Sequence, residues 1–266
     1  YKRQPMDVPA AARLQDVHKR FGSVRALAGA NLTLRPGEVH AVLGENGAGK
    51  TTLLRVLGGL TPPDRGEILV GDRPVRFRSA RDAWHAGIGL VHQHFALVPR
   101  FTVLENLALG VRVGGAGLRL PLDRARRDAT GLVEETGLRV PFDAPMASLG
   151  VGERQRVEIL KVLLRAPSVL ALDEPTAVLT PREVDTLLDL LRDQAAAGRC
   201  VVLVAHKLDE VLSVASRVTV LRGGRTVLEV ERSRTDAEAL TRAMVGDEGA
   251  SGLGAVPRPS TPRAPG

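Results

Sequence analysis

The residues best suited to chemistry in this chain lie in the glycine-rich stretch 41–54. It contains the pattern G-x-x-x-x-G-K-[ST], which ends in Lys50 and Thr51. Between an apolar strand and an apolar-periodic helix, this pattern is typical of a phosphate-binding loop. Its glycines let the backbone wrap a polyphosphate, so that N–H groups point at the phosphate oxygens and the helix N-terminus adds partial positive charge. Lys50 would meet the β- and γ-phosphates, and the Thr51 hydroxyl would bind Mg²⁺.

The alternative interpretation of this stretch is an ordinary glycine-rich turn. A chance match in a chain of this length is expected on the order of one time in a hundred, which favours the phosphate loop. The sequence therefore predicts binding of a nucleoside triphosphate with Mg²⁺. The predicted nucleotide-binding residues of the loop are Gly44, Glu45, Asn46, Gly47, Ala48, Gly49, Lys50, Thr51 and Thr52.

Two apolar runs of strand length end in polar residues that suit phosphate chemistry. Residues 169–172 lead into Asp173 and Glu174, and residues 200–205 lead into His206. Continuous apolar runs are typical of parallel strands, whose carboxyl ends bind ligands in open α/β sheets. We predict that Asp173 holds Mg²⁺ and that Glu174 polarises the attacking water. We predict that His206 hydrogen-bonds the γ-phosphate or that water; helix-capping, turn or structural roles are the alternatives.

Phe21 precedes the phosphate loop in a chain that contains only 3% aromatic residues. It stands between polar neighbours and could stack on a purine base. Without the loop behind it, a core position at a strand end would be the favoured interpretation.

The elements that must position these residues form an α/β pattern. Between 95 and about 165 the periodicity changes to helical, which indicates a helical insertion. A capping box of Thr180 and Glu183 begins a well-marked helix. The predicted strands are 13–18, 30–34, 38–43, 67–70, 73–77, 87–91, 169–173, 200–205, 217–221 and 226–230. The predicted helices are 51–58, 103–109, 123–136, one ending at about 165, and 181–197, with a loose loop at 114–117.

Length and composition limit the classes of protein. The chain has 266 residues, is 44% hydrophobic and carries a net charge of +7, which suits phosphate ligands, an acidic membrane surface, nucleic acid or a plain solvated surface. One cysteine, Cys200, lies in an apolar run and is expected in the core. We find neither a bilayer-spanning run nor a signal peptide, and we expect a soluble intracellular protein. Its start at Tyr1 is expected to be trimmed or that of a fragment. Residues 247–266 are predicted to be a flexible linker or tail.

Together these motifs resemble the nucleotide-binding domain of ATP-binding cassette (ABC) transporters, over 12–246. The resemblance implies an ATP hydrolase with a mostly parallel P-loop core, an antiparallel β subdomain and a helical subdomain at about 95–165. It implies that Phe21 stacks on the adenine and that 44–52 is the Walker A loop, with Lys50 as a catalytic residue. It implies a Mg²⁺ site of Thr51, Gln93 and Asp173, and a Walker B pair of Asp173 and the catalytic Glu174. It also implies a D-loop at 177–180 and a catalytic switch histidine, His206. The implied signature residues, which face a partner's nucleotide, are Leu149, Gly150, Val151, Gly152 and Glu153.

The chain is more similar still to importers of simple sugars and nucleosides. The residues that carry this likeness are 91–95, 152–159, 173–180 and 206–211. The stretch from Gln93 onward and the signature with Arg154 and Gln155 are more similar to nucleoside-type than to pentose-type importers. Members often join two cassettes in one chain, which makes 247–266 resemble a linker to a second cassette.

The resemblance implies ATP and Mg²⁺ as cofactors. It also implies a second cassette, transmembrane permease subunits and, indirectly, an extracytoplasmic solute-binding protein as partners, at the inner face of the cell membrane. A non-transport ABC ATPase on ribosomes or nucleic acid is the alternative, but the charged linkers and long coiled coils of such proteins are not found and no nucleic acid is expected. A regulatory module without turnover is disfavoured by Asp173, Glu174 and His206.

The chain departs from the family pattern at two positions. Gly150 replaces the usual signature serine, which removes one charge-assisted hydrogen bond worth about 1.5–3 kcal/mol if desolvated. The N–H groups of 150–152 can still bind phosphate, but slower hydrolysis at the site that uses this signature is expected. Thr180 ends the D-loop where many relatives have Asp, which affects communication across the dimer.

Overall fold

The computed structural model describes residues 10–93, 95–111 and 120–246. The strands in these ranges are β1 Ala12–Phe21, β2 Val24–Leu34, β3 Val39–Leu43, β4 Arg65–Val70, β5 Arg73–Val75, β6 Ile88–Val91, β7 Val169–Asp173, β8 Cys200–Val204, β9 Arg217–Arg222 and β10 Arg225–Glu231. The α-helices are α1 Lys50–Leu57, α2 Ala80–His85, α3 Val103–Ala108, α4 Leu122–Thr136, α5 Val151–Leu163, α6 Pro181–Ala196, α7 Leu208–Val214 and α8 Ala237–Val245. The predicted loop at 114–117 and the predicted tail at 247–266 lie outside the described residues.

The strands form two sheets, and this arrangement confirms the predicted fold class. The larger sheet has the order β10-β9-β3-β8-β7-β6. Its strands from β9 to β6 run parallel, and only β10 pairs antiparallel. The smaller sheet, β2-β1-β4-β5, is antiparallel throughout. Strands β3, β7 and β8 are buried along their whole length, and for β7 and β8 the continuous apolar runs predict this burial.

Two apolar layers hold these elements together. The leucines of α1 belong to one apolar cluster with side chains of both sheets, and the helix contacts β2 and β7. Helices α5, α6 and α7 cover the other face of the larger sheet. The predicted core position of Cys200 is confirmed, and burial raises the pKa of its thiol to about 12. Among the described residues, no helix combines the length and the apolarity that a membrane crossing needs.

The helical insertion consists of α3, α4 and the signature helix α5, which contact one another. A small apolar cluster joins the first two helices, and it includes Leu104, Ala108 and Ala125. The predicted capping box at the start of α6 is confirmed, because the Thr180 backbone N–H donates to Glu183 Oε2 at 3.0 Å.

Three helices were not predicted from the sequence. Helix α2 has six residues and buries only Ala83, so it is too short to show a clear period. Helix α7 has seven residues directly after the predicted His206 site. Helix α8 has Asp236 as its N-cap, and the side chain of this residue accepts a hydrogen bond from the Ala239 N–H at 2.8 Å. Its capping residue is therefore a local feature that sequence reading could have used.

Candidate nucleotide-binding site

The phosphate loop connects the central strand β3 to α1. Helix α1 begins at Lys50, directly after Gly49 in a left-handed conformation at φ 106°. The Lys50 Nζ donates to Gly44 O at 2.7 Å and to Glu45 O at 3.0 Å. Burial lowers the pKa of Lys50, while the nearby charges of Glu174 and Asp173 act in the opposite direction. Two carbonyls of the loop thus hold the Lys50 side chain, which lies near Asp173 and Glu174.

Two distant segments support this loop. A Cβ at Gly49 would lie 2.5 Å from Ala26 O in β2, so strand and loop are in backbone contact. The Gly224 N–H donates to Ala48 O at 3.0 Å, and Gly224 O accepts from the Ala28 N–H at 2.8 Å. The sequence predicts that the turn between β9 and β10 belongs to a hairpin, but it does not predict that this turn contacts the phosphate loop. Its contact with the loop spans more than a hundred residues of chain and leaves no local pattern to detect.

Thr51 and Asp173 come together as the predicted magnesium site requires. The Thr51 hydroxyl donates to Asp173 Oδ1 at 3.3 Å. Burial raises the pKa of Asp173, and the Thr51 hydrogen bond and the Lys50 charge partly offset this shift. A hydroxyl and one carboxylate, with phosphate oxygens completing the shell, are ligands of the kind that Mg²⁺ takes. The donor set of these residues therefore fits the ion.

The Glu174 carboxylate contacts side chains from two other loops. Its Oε2 accepts from Gln93 Nε2 at 3.1 Å, and its Oε1 lies 2.5 Å from His206 Nε2. Its backbone N–H donates to Val204 O at 3.0 Å, which places it at the carboxyl edge of β7 and β8. Glu174 has a φ of 50°, a conformation that costs a non-glycine residue about 1–3 kcal/mol. Such strain clusters at functional sites, and the sequence carries no pattern that predicts it.

Phe21 lies at the tip of the β1–β2 hairpin, where it pairs with Val24. Its side chain is 48% exposed, and Lys19 Nζ lies 5.7 Å from the ring centroid. The same strand β2 contacts the phosphate loop at Ala26. An open aromatic face near the loop is the arrangement that base stacking needs.

The signature residues form the start of α5. Gly150 is the N-cap, and its N–H donates to Glu153 Oε2 at 3.0 Å, so this donor is already used within the helix. Leu149 is buried, whereas Val151 is 46% exposed. Val151 lines a cavity of about 360 Å³ together with Gln93 and Val178 of the D-loop. The structure therefore brings the signature, Gln93 and the D-loop to one surface.

The phosphate loop, the parallel strands with acids at their carboxyl ends and the helical insertion define a cassette-type P-loop nucleotide-binding protein. Residues 27–177 match the ABC transporter family, and the chain belongs to this family.

Relatives and solved structures agree with this assignment. The nucleoside import ATP-binding protein NupA of Lactococcus lactis subsp. cremoris is 46% identical over 87% of this chain and 46% of its own length. The ribose import ATP-binding protein RbsA 1 of Burkholderia thailandensis is 44% identical over 88% of this chain and 46% of its own length. The dimeric structure of MJ0796, a bacterial ABC transporter cassette, superposes with a TM-score of 0.73 at 26% identity and covers 83% of this chain and 98% of that one. The chain thus spans about half the length of the curated relatives it matches.

Proposed function

We propose that this chain binds and hydrolyses ATP to power an ABC importer for simple sugars or nucleosides. The observation that carries the proposal is the convergence of Gln93 and His206 on Glu174, beside the Thr51 and Asp173 pair. The relatives named for nucleoside and ribose import support the solute class.

Each residue has a distinct role in this proposal. The backbone N–H groups of 44–52 and Lys50 hold the triphosphate, and Phe21 stacks on the adenine. Thr51, Gln93 and Asp173 would hold Mg²⁺, whose charge would offset that of the β- and γ-phosphates. Glu174 accepts the proton of the attacking water as the water oxygen bonds to the γ-phosphorus and the bond to ADP breaks.

His206 and Gln93 position the groups around this reaction. His206 Nε2 next to Glu174 Oε1 orients the carboxylate, and the imidazole can also hydrogen-bond the γ-phosphate. Gln93 connects the same carboxylate to the loop that leads into the helical subdomain. A change at that loop would therefore alter the geometry of the base.

The proposed partners are a second cassette and the permease subunits. The signature residues 149–153 would act on the nucleotide of a second cassette, a proposal that the dimeric MJ0796 cassette supports. We define the docking groove as a cavity of about 250 Å³. It is lined by Leu60, Trp84, Ala96 and Leu109, together with residues of α5. It would receive a cytoplasmic helix of a permease subunit at the inner face of the membrane. An extracytoplasmic solute-binding protein would act through that permease, and no nucleic acid is required.

The proposed organisation is a cassette over 12–246, with its helical subdomain at about 95–165, followed by a linker over 247–266. A tandem protein with a second cassette is supported by relatives about twice as long as this chain. Sequencing of the full encoded polypeptide tests this proposal.

The direct test of the proposed function is Glu174→Gln, with the exposed Glu134→Gln on α4 as the matched control. Loss of a general base lowers kcat by about 10²–10⁴-fold, whereas ATP binding, which rests on other residues, is retained. Phosphate release measures turnover, and a fluorescent nucleotide analogue measures binding. Near-normal turnover of Glu174→Gln would exclude this residue as the base.

A further inference from the structure

Helix α5 connects two functional regions. Its N-terminal end carries the signature, and Lys161 lies near its C-terminal end. The residues from Val151 to Lys161 span about 15 Å of helix. A rigid helix of this length can transmit a displacement from one end to the other if its far end is attached to another loop.

Lys161 makes that attachment. Its Nζ donates to Ala96 O at 2.6 Å and to Glu158 Oε2 at 3.1 Å. The side chains are only 10% and 1% exposed for Lys161 and Glu158. Ala96 follows Gln93 by three residues in the sequence, so the bond attaches α5 to the segment that comes shortly after Gln93. Burial of two charges is costly unless their geometry is good, and this lysine uses its charge to bind a loop carbonyl rather than water.

The end of α3 packs against the same lysine. A Cβ at Gly110 would lie 3.0 Å from Lys161 Cγ and 2.6 Å from Lys161 O, so the backbone after α3 is in close contact with α5 here. Lys161, Glu158 and Ala96 also line the docking groove. The segment that follows Gln93, the signature helix α5 and the docking groove therefore share one buried side chain, that of Lys161.

We propose that Lys161, held by Glu158, is a positioning residue that couples the docking groove and the signature helix to Gln93. The bond to Ala96 holds this segment so that Gln93 reaches Glu174, and a helix that enters the groove packs against the residues that line it, Ala96 and Lys161 among them. The inference rests on the proposed function, since it names how that site is regulated.

Lys161→Met tests the proposal, with Lys161→Arg as the matched variant that keeps the charge and N–H donors. Lys161→Met leaves Glu158 buried without its partner, so the double variant Glu158→Leu, Lys161→Met removes both charges and keeps the volume apolar. We expect kcat for ATP to fall about 10-fold in both Met variants, with KM for ATP nearly unchanged because Lys50 and Phe21 are intact. Lys161→Arg should retain most of the wild-type kcat.

A second readout distinguishes positioning from stability. Trp84 is the single tryptophan of the chain and lines the same groove. If the loop at Ala96 leaves the groove, water reaches Trp84 and its emission shifts to the red in both Met variants but not in Lys161→Arg. Melting curves of all variants give the folded fraction at the assay temperature.

The outcomes separate the two proposals. A fall in kcat at full folded fraction, with the Trp84 shift and retention by Lys161→Arg, supports the coupling role. Wild-type kcat in the double variant, an equal loss in Lys161→Arg, or a loss that only follows the unfolded fraction overturns it. If the wild-type chain hydrolyses no ATP, the proposed function fails, and the Trp84 emission alone decides whether Lys161 holds the loop.

Discussion

Replacement of Gly49 by alanine tests how the phosphate loop is built. Gly49 has a φ of 106°, and a Cβ there would lie 2.5 Å from Ala26 O and 2.9 Å from Leu27 Cδ2. The closer atom is a backbone carbonyl of β2, and the residues on either side of it, Arg25 and Leu27, pair with Arg20 and Lys19 of β1 and restrict its movement. Either the loop or the strand must therefore move.

Gly47→Ala in the same loop provides the matched control. Gly47 also has a positive φ, 81°, but a Cβ there would have no atom of the described residues within 4 Å beyond its chain neighbours. Both variants incur the left-handed penalty of about 1–2 kcal/mol. Only Gly49→Ala adds an overpacking cost of about 1–3 kcal/mol. The free energy of unfolding should thus fall by about 2–5 kcal/mol for Gly49→Ala and about 1–2 kcal/mol for Gly47→Ala.

Urea unfolding without nucleotide measures both values, because loss of ATP binding then has no influence on stability. The dependence on denaturant should keep its slope, so that midpoints report stability. Equal destabilisation by the two variants would refute the contact between Gly49 and β2. A wild-type midpoint for Gly49→Ala would refute the left-handed conformation as well.

Two further predictions concern pH. Burial raises the pKa of Asp173, so the folded chain holds this proton more tightly and loses stability as pH rises above the usual aspartate range. Asp173→Asn should therefore melt higher than wild type at pH 7 without nucleotide or Mg²⁺ and converge with it in acid; a lower melting temperature at pH 7 would contradict this. Burial, with Arg217 and Arg35, lowers the pKa of His40 to about 3, so stability present above about pH 6.5 is lost toward pH 3 at about 1.4 kcal/mol per pH unit. In urea unfolding at stepped pH, His40→Gln should lose stability less steeply, and an unchanged slope would show that His40 does not contribute.

The sequence alone determined the features that depend on neighbouring residues. The phosphate loop is recognisable because its lysine, hydroxyl and glycines are fixed by the local backbone path. The buried strands β7 and β8 are recognisable because strands covered on both faces need continuous apolar runs. Adjacent parallel strands end at the same edge of a sheet, so the sequence places Asp173 and Glu174 at one edge with His206. The pairing of Asp173 with Val204 confirms this geometry.

Only the tertiary structure decided which distant groups meet. The contact of Gln93 with Glu174, the support of Ala48 by Gly224 and the bond from Lys161 to Ala96 join segments far apart in the chain. Lys161 reads in the sequence as an ordinary helical lysine. Its burial depends on how α5 packs against the strand and loop beside it, and packing of this kind is set by the summed contacts of many residues rather than by any local pattern.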